Sequence, residues 1–484
     1  VNKELKRVSI VVLLMFIALF GSSSVIQVVE ADSLGADTRN VRTLYDSFSA
    51  QRGPILIDGV PIAESTPVDD NFRYLRVYSN GPLYAPVTGY FTLNQGTTGV
   101  EGALNDYLSG TSNAQFFDQI NSILTGQAPK GDAVELTIDA NLQQVAWDAL
   151  GNNSGSVVAL DPKTGAILAM VSKASFDPNA LAVHDTKAVL SAYQALNDDP
   201  ADPLANRAIA GDLYTPGSVF KLVVASAAID SGQFTADSEF PNPGSLTLPG
   251  SNSVITNSEG GSCGGGATVS IATALRLSCN IPFAELGLAV GYDAINAKAK
   301  EFGFGSSLDI PMGTTPSVYP QTDSDAQQML SSFGQASVRV TPLQIAMVSA
   351  AIANDGTLMQ PTLIESILAP DLTVRQQLQP TVYNTPMTSE TAETLTQMMI
   401  SAVSNGVGTN ARISGVNVAG KTGTAENGEG DPYTLWFTGF APAEDPQVVV
   451  AVVVENGGGL GQSGFGNSVA APIAKKVLEA VLNK

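Results

Sequence analysis

Histidine is nearly missing from this chain: His184 is the only one in 484 residues. A Ser-His-Asp hydrolase has a single candidate base here. His184 lies among polar residues and is expected to be an exposed loop side chain. Cysteine is almost as scarce. Cys263 and Cys279 are the only two, too few for a structural zinc site without other ligands, and no metal site is expected. Basic residues are outnumbered, 24 Lys and Arg against 45 Asp and Glu, for a net charge of −21. That balance argues against a nucleic-acid partner, because neutralising phosphates takes a basic face. Apolar residues are plentiful at 44%, ample for a large core in a chain longer than one typical domain.

The first 30 residues form a unit of their own. Lys3, Lys6 and Arg7 precede a largely apolar stretch from residue 8 to about residue 29, interrupted by Gly21-Ser22-Ser23-Ser24. About 20 apolar residues span a bilayer. The uninterrupted part, residues 8–20, also has the size of a signal-peptide core. The absence of a clear small-x-small site and the return of apolar residues at Val25 favour an uncleaved anchor. The basic flank puts the amino terminus in the cytoplasm and the chain after about residue 30 outside. Both cysteines then lie on the external side, where a bridge between Cys263 and Cys279 closes a loop of about 15 residues and contributes on the order of 3 kcal/mol. Two independent thiols are the alternative.

Residues 31–153 are short-segmented and carry no catalytic cluster, and read as a pedestal or dimerisation-like domain. Residues 154–484 open with two strands and continue into helical segments between Ser218 and about Gly356. They return to strands at about 414–424, 433–441 and 447–455, and end in an amphipathic helix at about 468–482. Strands at both ends with helices between predict an α+β fold: one antiparallel sheet closed by chain-distant pieces, flanked by a helical lobe. The apolar stripe in 341–353 reads as core.

Three short motifs carry chemistry. Ser218-Val219-Phe220-Lys221 follows the turn signal Thr215-Pro216-Gly217 and opens an apolar run expected to be a buried helix. A Ser at a helix start and a Lys three residues on share a face, so the Lys221 amine can reach the Ser218 hydroxyl. A serine nucleophile needs such a base. Lys221 must then fall well below about 10.4, through desolvation and a cationic neighbour, for which Lys421 is the candidate. Ser278-Cys279-Asn280 and Lys421-Thr422-Gly423-Thr424 complete the set. In an extended segment Lys421 and Gly423 share one face and Thr422 and Thr424 the other. A second Lys-Thr-Gly, at Lys163-Thr164-Gly165, sits between two strand-like runs and reads as a hairpin turn with a positive φ at Gly165. The Gly-rich loop 260–266 lacks a following Lys-Ser/Thr and is not read as a phosphate cradle.

Order and separation say more than any one motif. A Ser-x-x-Lys followed about 60 residues later by Ser-x-Asn and about 140 further by Lys-Thr-Gly resembles the penicillin-binding protein and serine β-lactamase superfamily. Asn206-Arg207-Ala208, Leu160-Asp161-Pro162-Lys163-Thr164-Gly165-Ala166, Gly334-Gln335, Thr341-Pro342-Leu343-Gln344-Ile345-Ala346 and Trp436-Phe437-Thr438-Gly439-Phe440 are further family-like segments. Arg39-Asn40-Val41-Arg42 and Gln51-Arg52-Gly53-Pro54-Ile55 resemble class B enzymes, most closely the penicillin-binding protein A type. Where many class B proteins continue into Asp-Arg-Asn-Gly, this one reads Leu56-Ile57-Asp58-Gly59.

The resemblance implies a peptidoglycan D,D-transpeptidase of cell-wall synthesis and division, inhibited covalently by β-lactams. Lys221 deprotonates Ser218, which attacks the D-Ala-D-Ala carbonyl of a stem peptide. The backbone N–H groups of Ser218 and Thr424 hold the oxyanion, and Ser278 relays a proton under the field of Lys421. Asn280 orients the substrate amide, while Thr422, Gly423 and Thr424 form the wall at its carboxylate. No cofactor is required. Glycan polymerisation falls to another protein, and a glycan polymerase or division proteins are the expected partners. Two other functions use the same residues differently: a D,D-carboxypeptidase or β-lactam-hydrolysing enzyme, and a non-catalytic division scaffold or β-lactam sensor.

Overall fold

The computed structural model describes residues 2–26, 48, 50–115, 130–258, 260–322 and 324–483. The segment 39–42 singled out above lies outside them. Helix α1 (Asn2–Ser24) runs straight through the Gly21-Ser22-Ser23-Ser24 interruption. Its 23 residues give about 34 Å of length, enough to cross a hydrocarbon layer of about 30 Å. Its apolar side chains, among them Leu13, Phe16 and Phe20, are exposed. The helix is consistent with a single-pass membrane anchor.

The chain next forms β1 (Ile55–Ile57), β2 (Val60–Pro67), β3 (Tyr74–Tyr78), β4 (Ala133–Leu136) and α2 (Ala140–Leu150). The hairpin β5 (Gly155–Leu160) and β6 (Ile167–Lys173) follows. The helical lobe contains α3 (Lys221–Asp230), α4 (Ile271–Arg276) and α5 (Asn280–Val290), and leads to α6 (Pro342–Ala353). Then come β7 (Ile364–Leu368), β8 (Val374–Gln377) and α7 (Ser389–Asn405). Strands β9 (Ala419–Ala425), β10 (Thr434–Ala441) and β11 (Val448–Val454) precede the last helix, α8 (Ala470–Leu482).

The expected antiparallel sheet is present, with strand order β9-β10-β11-β5-β6. Strands β10 and β11 read TLWFTGFA and VVVAVVV and are buried throughout. They are apolar on both faces because both faces are covered, by α2 and α8 on one side and α6 on the other. Thr341 caps α6 by accepting from Gln344 N–H, and Pro342 fills the first turn, where no N–H partner is needed. Lys163-Thr164-Gly165 makes the β5–β6 turn as read, with Gly165 at φ 79°.

A second sheet has the order β8-β7-β4-β1-β2-β3. Its strands come from both sides of residue 153. Residues 364–377 pair into the amino-terminal sheet, and α2 packs by Leu142, Ala146 and Leu150 on the five-stranded sheet. Strand pairing across more than 200 residues leaves no local mark on a sequence. Beneath this sheet Glu101 is clamped by Arg52 (2.5 Å) and Arg76 (2.6 Å), all three buried. Arg52 also stacks over Phe91 at 4.4 Å, which gives the Gln51-Arg52-Gly53-Pro54 segment a structural reason.

His184 departs from its expected exposure. Its ring lies 4.6 Å from that of Phe72 and edge-on to Phe48, with Nδ1 2.6 Å from Asp70 Oδ2. Only 10% of the side chain is exposed. The aromatic cover comes from residues more than 100 positions away, so the polar neighbours in sequence misled.

Candidate active site

The nucleophile turn is built by close backbone approach. Gly217 has φ 54°, its N–H donates to Gly334 O at 2.9 Å, and a side chain on it would meet Thr424 O. Gly334 has φ 81°, and a Cβ there would lie 1.9 Å from Gly217 O. Turn, loop and strand β9 thus interlock through glycine. Residues Gly217–Phe220 form a 3-10 turn, and α3 begins at Lys221 rather than at Ser218. Because 3-10 geometry eclipses residues i and i+3, the difference brings Ser218 and Lys221 into line.

Lys221 is fully buried, and its Nζ meets Ser218 Oγ at 3.0 Å, Ser278 O at 2.7 Å and Asn280 Oδ1 at 2.9 Å. Burial pushes its ammonium well below the ordinary lysine range, and the charge of Lys421 pushes the same way. A neutral amine keeps two N–H bonds and one lone pair. The two carbonyl oxygens can only accept, so they take the N–H donors and the lone pair is left for the Ser218 hydroxyl. Asn280 is fixed from its other end as well, its Nδ2 donating to Thr256 O at 3.0 Å. Both ends of its amide are thus hydrogen-bonded, one to Lys221 and one to Thr256.

Ser278 sits between α4 and α5 at φ 59°, a left-handed conformation that a side-chain-bearing residue adopts at some cost. Its Oγ lies 3.5 Å from Lys221 Nζ and 2.8 Å from Lys421 Nζ. The second lysine is also fully buried, and burial alone brings it down to about 7. Its remaining contact is Thr422 O at 2.8 Å. A continuous path of polar atoms therefore runs Ser218, Lys221, Ser278, Lys421.

Strand β9 is an edge strand. The Gln335 amide, oriented so that both ends are matched, donates to Glu426 O (3.2 Å) and accepts from Glu426 N (3.1 Å). Main-chain direction alternates along an antiparallel strand, so Thr424 and Thr422 present N–H and C=O on that same open side. The closeness of Thr424 O to Gly217 and the bond from Lys421 Nζ to Thr422 O agree with this. Lys421 and Gly423 face the nucleophile turn, while Thr422 and Thr424 lie on the other face. Thr424 Oγ1 accepts from Gly466 N–H at 3.2 Å.

Cys263 and Cys279 form a disulfide, so the thiol alternative is excluded. The bridge ties the Gly-rich loop to the middle of Ser-x-Asn. Asn257, almost fully buried, accepts from the N–H groups of Asn280 and Ile281, and Asn242 holds Cys263 through both amide ends. Neither asparagine stands out in the sequence. Glu455 gives little sign of its role there either: it receives Arg207 Nε at 2.9 Å and Tyr214 OH at 2.5 Å, steadying the approach to the nucleophile. An acid directly following the buried VVVAVVV strand is the available signal.

Residues 155–479 match the family model described as penicillin binding protein transpeptidase domain, and residues 52–134 match penicillin binding protein A dimerisation domain. The chain is 42% identical to peptidoglycan D,D-transpeptidase PbpA of Mycolicibacterium smegmatis, covering 100% of this chain and 99% of that protein. It is 40% identical to the protein of the same name from Mycobacterium tuberculosis, covering 99% of each. Among solved structures, it resembles the ceftriaxone acyl-enzyme complex of M. tuberculosis penicillin-binding protein A with a TM-score of 0.86 at 38% identity, covering 90% of this chain and 100% of that one. The penicillin G acyl-enzyme complex of the same protein gives 0.84 at 38% identity, with the same coverage. Likeness over nearly the full length, in sequence as in fold, places this chain in the penicillin-binding protein transpeptidase family.

Proposed function

We infer that this chain is a peptidoglycan D,D-transpeptidase that works through an acyl-enzyme on Ser218 and is inhibited by β-lactams. The observation that carries the reading is Lys221 Nζ at 3.0 Å from Ser218 Oγ, buried and with both its N–H bonds committed to carbonyls. The neutral Lys221 takes the hydroxyl proton as Ser218 Oγ attacks the penultimate D-Ala carbonyl. The N–H groups of Ser218, in a first helical turn, and Thr424, on the strand edge, stabilise the oxyanion. As the C–N bond breaks, Ser278 passes a proton to the leaving D-Ala, and the Lys421 ammonium supports that transfer. The terminal carboxylate lies toward Lys421 and is met by Thr422 and Thr424 around the open edge of β9. An amine from a neighbouring stem then attacks the ester, its proton returns to Ser218 Oγ, and the cross-link forms. Asn280 holds Lys221 in place. Residues 52–136 with β7 and β8 form the pedestal, and α1 anchors the catalytic part outside the membrane beside a glycan polymerase or division proteins.

The test uses the detergent-solubilised full chain with a stem-peptide donor, an amine acceptor and fluorescent penicillin, with products read by mass spectrometry. Cross-linked product and a penicilloyl adduct on Ser218, both lost in Ser218→Ala, are expected. Labelling that persists on the same peptide in Ser218→Ala overturns the nucleophile assignment. Free D-Ala released without cross-linking makes the enzyme a carboxypeptidase.

A further inference from the structure

A cavity of about 170 Å³ opens on the seam between the pedestal and the catalytic half, where Ala85, Pro86 and Thr98 face Phe176, Leu204 and Met312. None of the lining residues belongs to the acyl-transfer machinery. A proline builds the seam. Pro86 lies inside the helix Gly81–Thr88 and has no N–H to give, which frees the carbonyl of Pro82 one turn back. Ser175 of the catalytic half donates its hydroxyl to that oxygen at 2.6 Å. The helix ends at Thr88, so the Pro86 carbonyl is free as well, and it accepts from Asn206 Nδ2 at 2.7 Å. Ser175 and Asn206 both line the cavity, so these two bonds fix its walls.

The same bonds use up the polar groups inside. Asn206 donates through Nδ2 to Pro86 O and accepts at Oδ1 from Ala208 N–H at 3.2 Å, while Ser175 spends its proton on Pro82. Among the described residues that line the cavity none is charged. An ion entering it would lose hydration without meeting a counter-charge. Phe176, Ile209 and Met312 are buried and offer apolar contact. Thr98 and Gly313 are the exposed members of the lining and mark its mouth. Thr98 Oγ1 accepts from Tyr90 N–H at 3.3 Å, which leaves its own proton to donate. We propose that the cavity is a binding site for a small neutral molecule with an apolar body and one carbonyl-type acceptor, held at the mouth by Thr98. A volume of this size suits about six to ten non-hydrogen atoms, since an apolar cavity of about 150 Å³ holds benzene. The ligand touches both halves, so it binds only while they are docked. By mass action its presence then locks the pedestal onto the catalytic half.

Three compounds of similar size test the proposal: acetophenone, with the acceptor; ethylbenzene, without it; and benzoate, with a charge. Each is titrated into the detergent-solubilised full chain, and hydrogen–deuterium exchange is read by mass spectrometry. Acetophenone should slow exchange on both walls, at 85–99 and 203–209. Ethylbenzene should bind about fivefold more weakly, the scale of one neutral hydrogen bond. Benzoate should leave both walls unchanged. Thr98→Val should bring acetophenone down to the level of ethylbenzene. Gly313→Trp should abolish the response to both compounds. A Cβ on Gly313 meets nothing closer than Ser307 Oγ at 3.7 Å, so the mouth has room to carry the added ring. Unchanged exchange over β9, β10 and β11 shows that each variant is folded; should the larger substitution fail there, Thr98→Val decides alone. Protection that is absent, that benzoate matches or that survives Gly313→Trp overturns the proposal, and so does an acetophenone preference that survives Thr98→Val.

Discussion

In the proposed mechanism, how many hydrogens a single nitrogen carries decides whether Ser218 is reactive. Lys221 then acts only when neutral, and the charge on Lys421 helps to keep it so. Replacing that charge in Lys421→Met should let the Lys221 ionisation climb. The acid limb of the penicillin acylation profile should then move to higher pH, whatever happens to its height; a limb that stays in place removes Lys421 from this role. The same burial is a liability for folding. On unfolding, Lys221 takes up a proton at any pH between its depressed value and about 10.4, so the unfolded state binds more protons and stability rises with pH over that window. Lys221→Met should therefore melt at a higher temperature than the native chain near neutral pH, with the advantage shrinking as pH approaches 10. Calorimetry at several pH values checks both parts. Ser218, Lys221, Ser278 and Lys421 are legible because residue type and order alone bring them to notice. Glu455, Asn242 and Asn257 are not, since each acts through partners 20 to 250 positions away.

Among the elements, the nucleophile turn depends on what glycine permits. Gly334→Ala puts a methyl 1.9 Å from the main-chain oxygen of Gly217, at a φ of 81°. Backbone cannot yield as a flexible side chain would. The substitution should cost about 2 kcal/mol or more and displace Ser218, seen as a lower denaturation midpoint together with slowed penicillin labelling. Normal labelling at an unchanged midpoint contradicts the interlock. The elements of the five-stranded sheet are readable, because β10 and β11 are continuous apolar runs and α6 has Thr341-Pro342 at its start. The 3-10 turn at Gly217–Phe220 reads in the sequence as the first turn of α3, as the two share their i, i+3 pattern and differ only in winding.

For the molecule as a whole, the buried Arg52–Glu101–Arg76 cluster holds the pedestal together. Glu101→Gln leaves two guanidinium groups facing each other without a counter-charge, and should destabilise the chain by about 3 to 5 kcal/mol. Denaturant unfolding measures the loss; a change below about 1 kcal/mol would show that water reaches the cluster. The sharing of strands between distant segments is not legible in the sequence, because a pairing edge recruits whatever segment the completed fold delivers to it.

That recruitment sets a timetable for biogenesis. Strands β7 and β8 are made long after β1 to β4, yet they supply one flank of the same sheet. During synthesis the β4 edge must wait, unzipped, while the whole nucleophile lobe emerges from the ribosome. The base of the enzyme can be completed only after most of its catalytic half has been made.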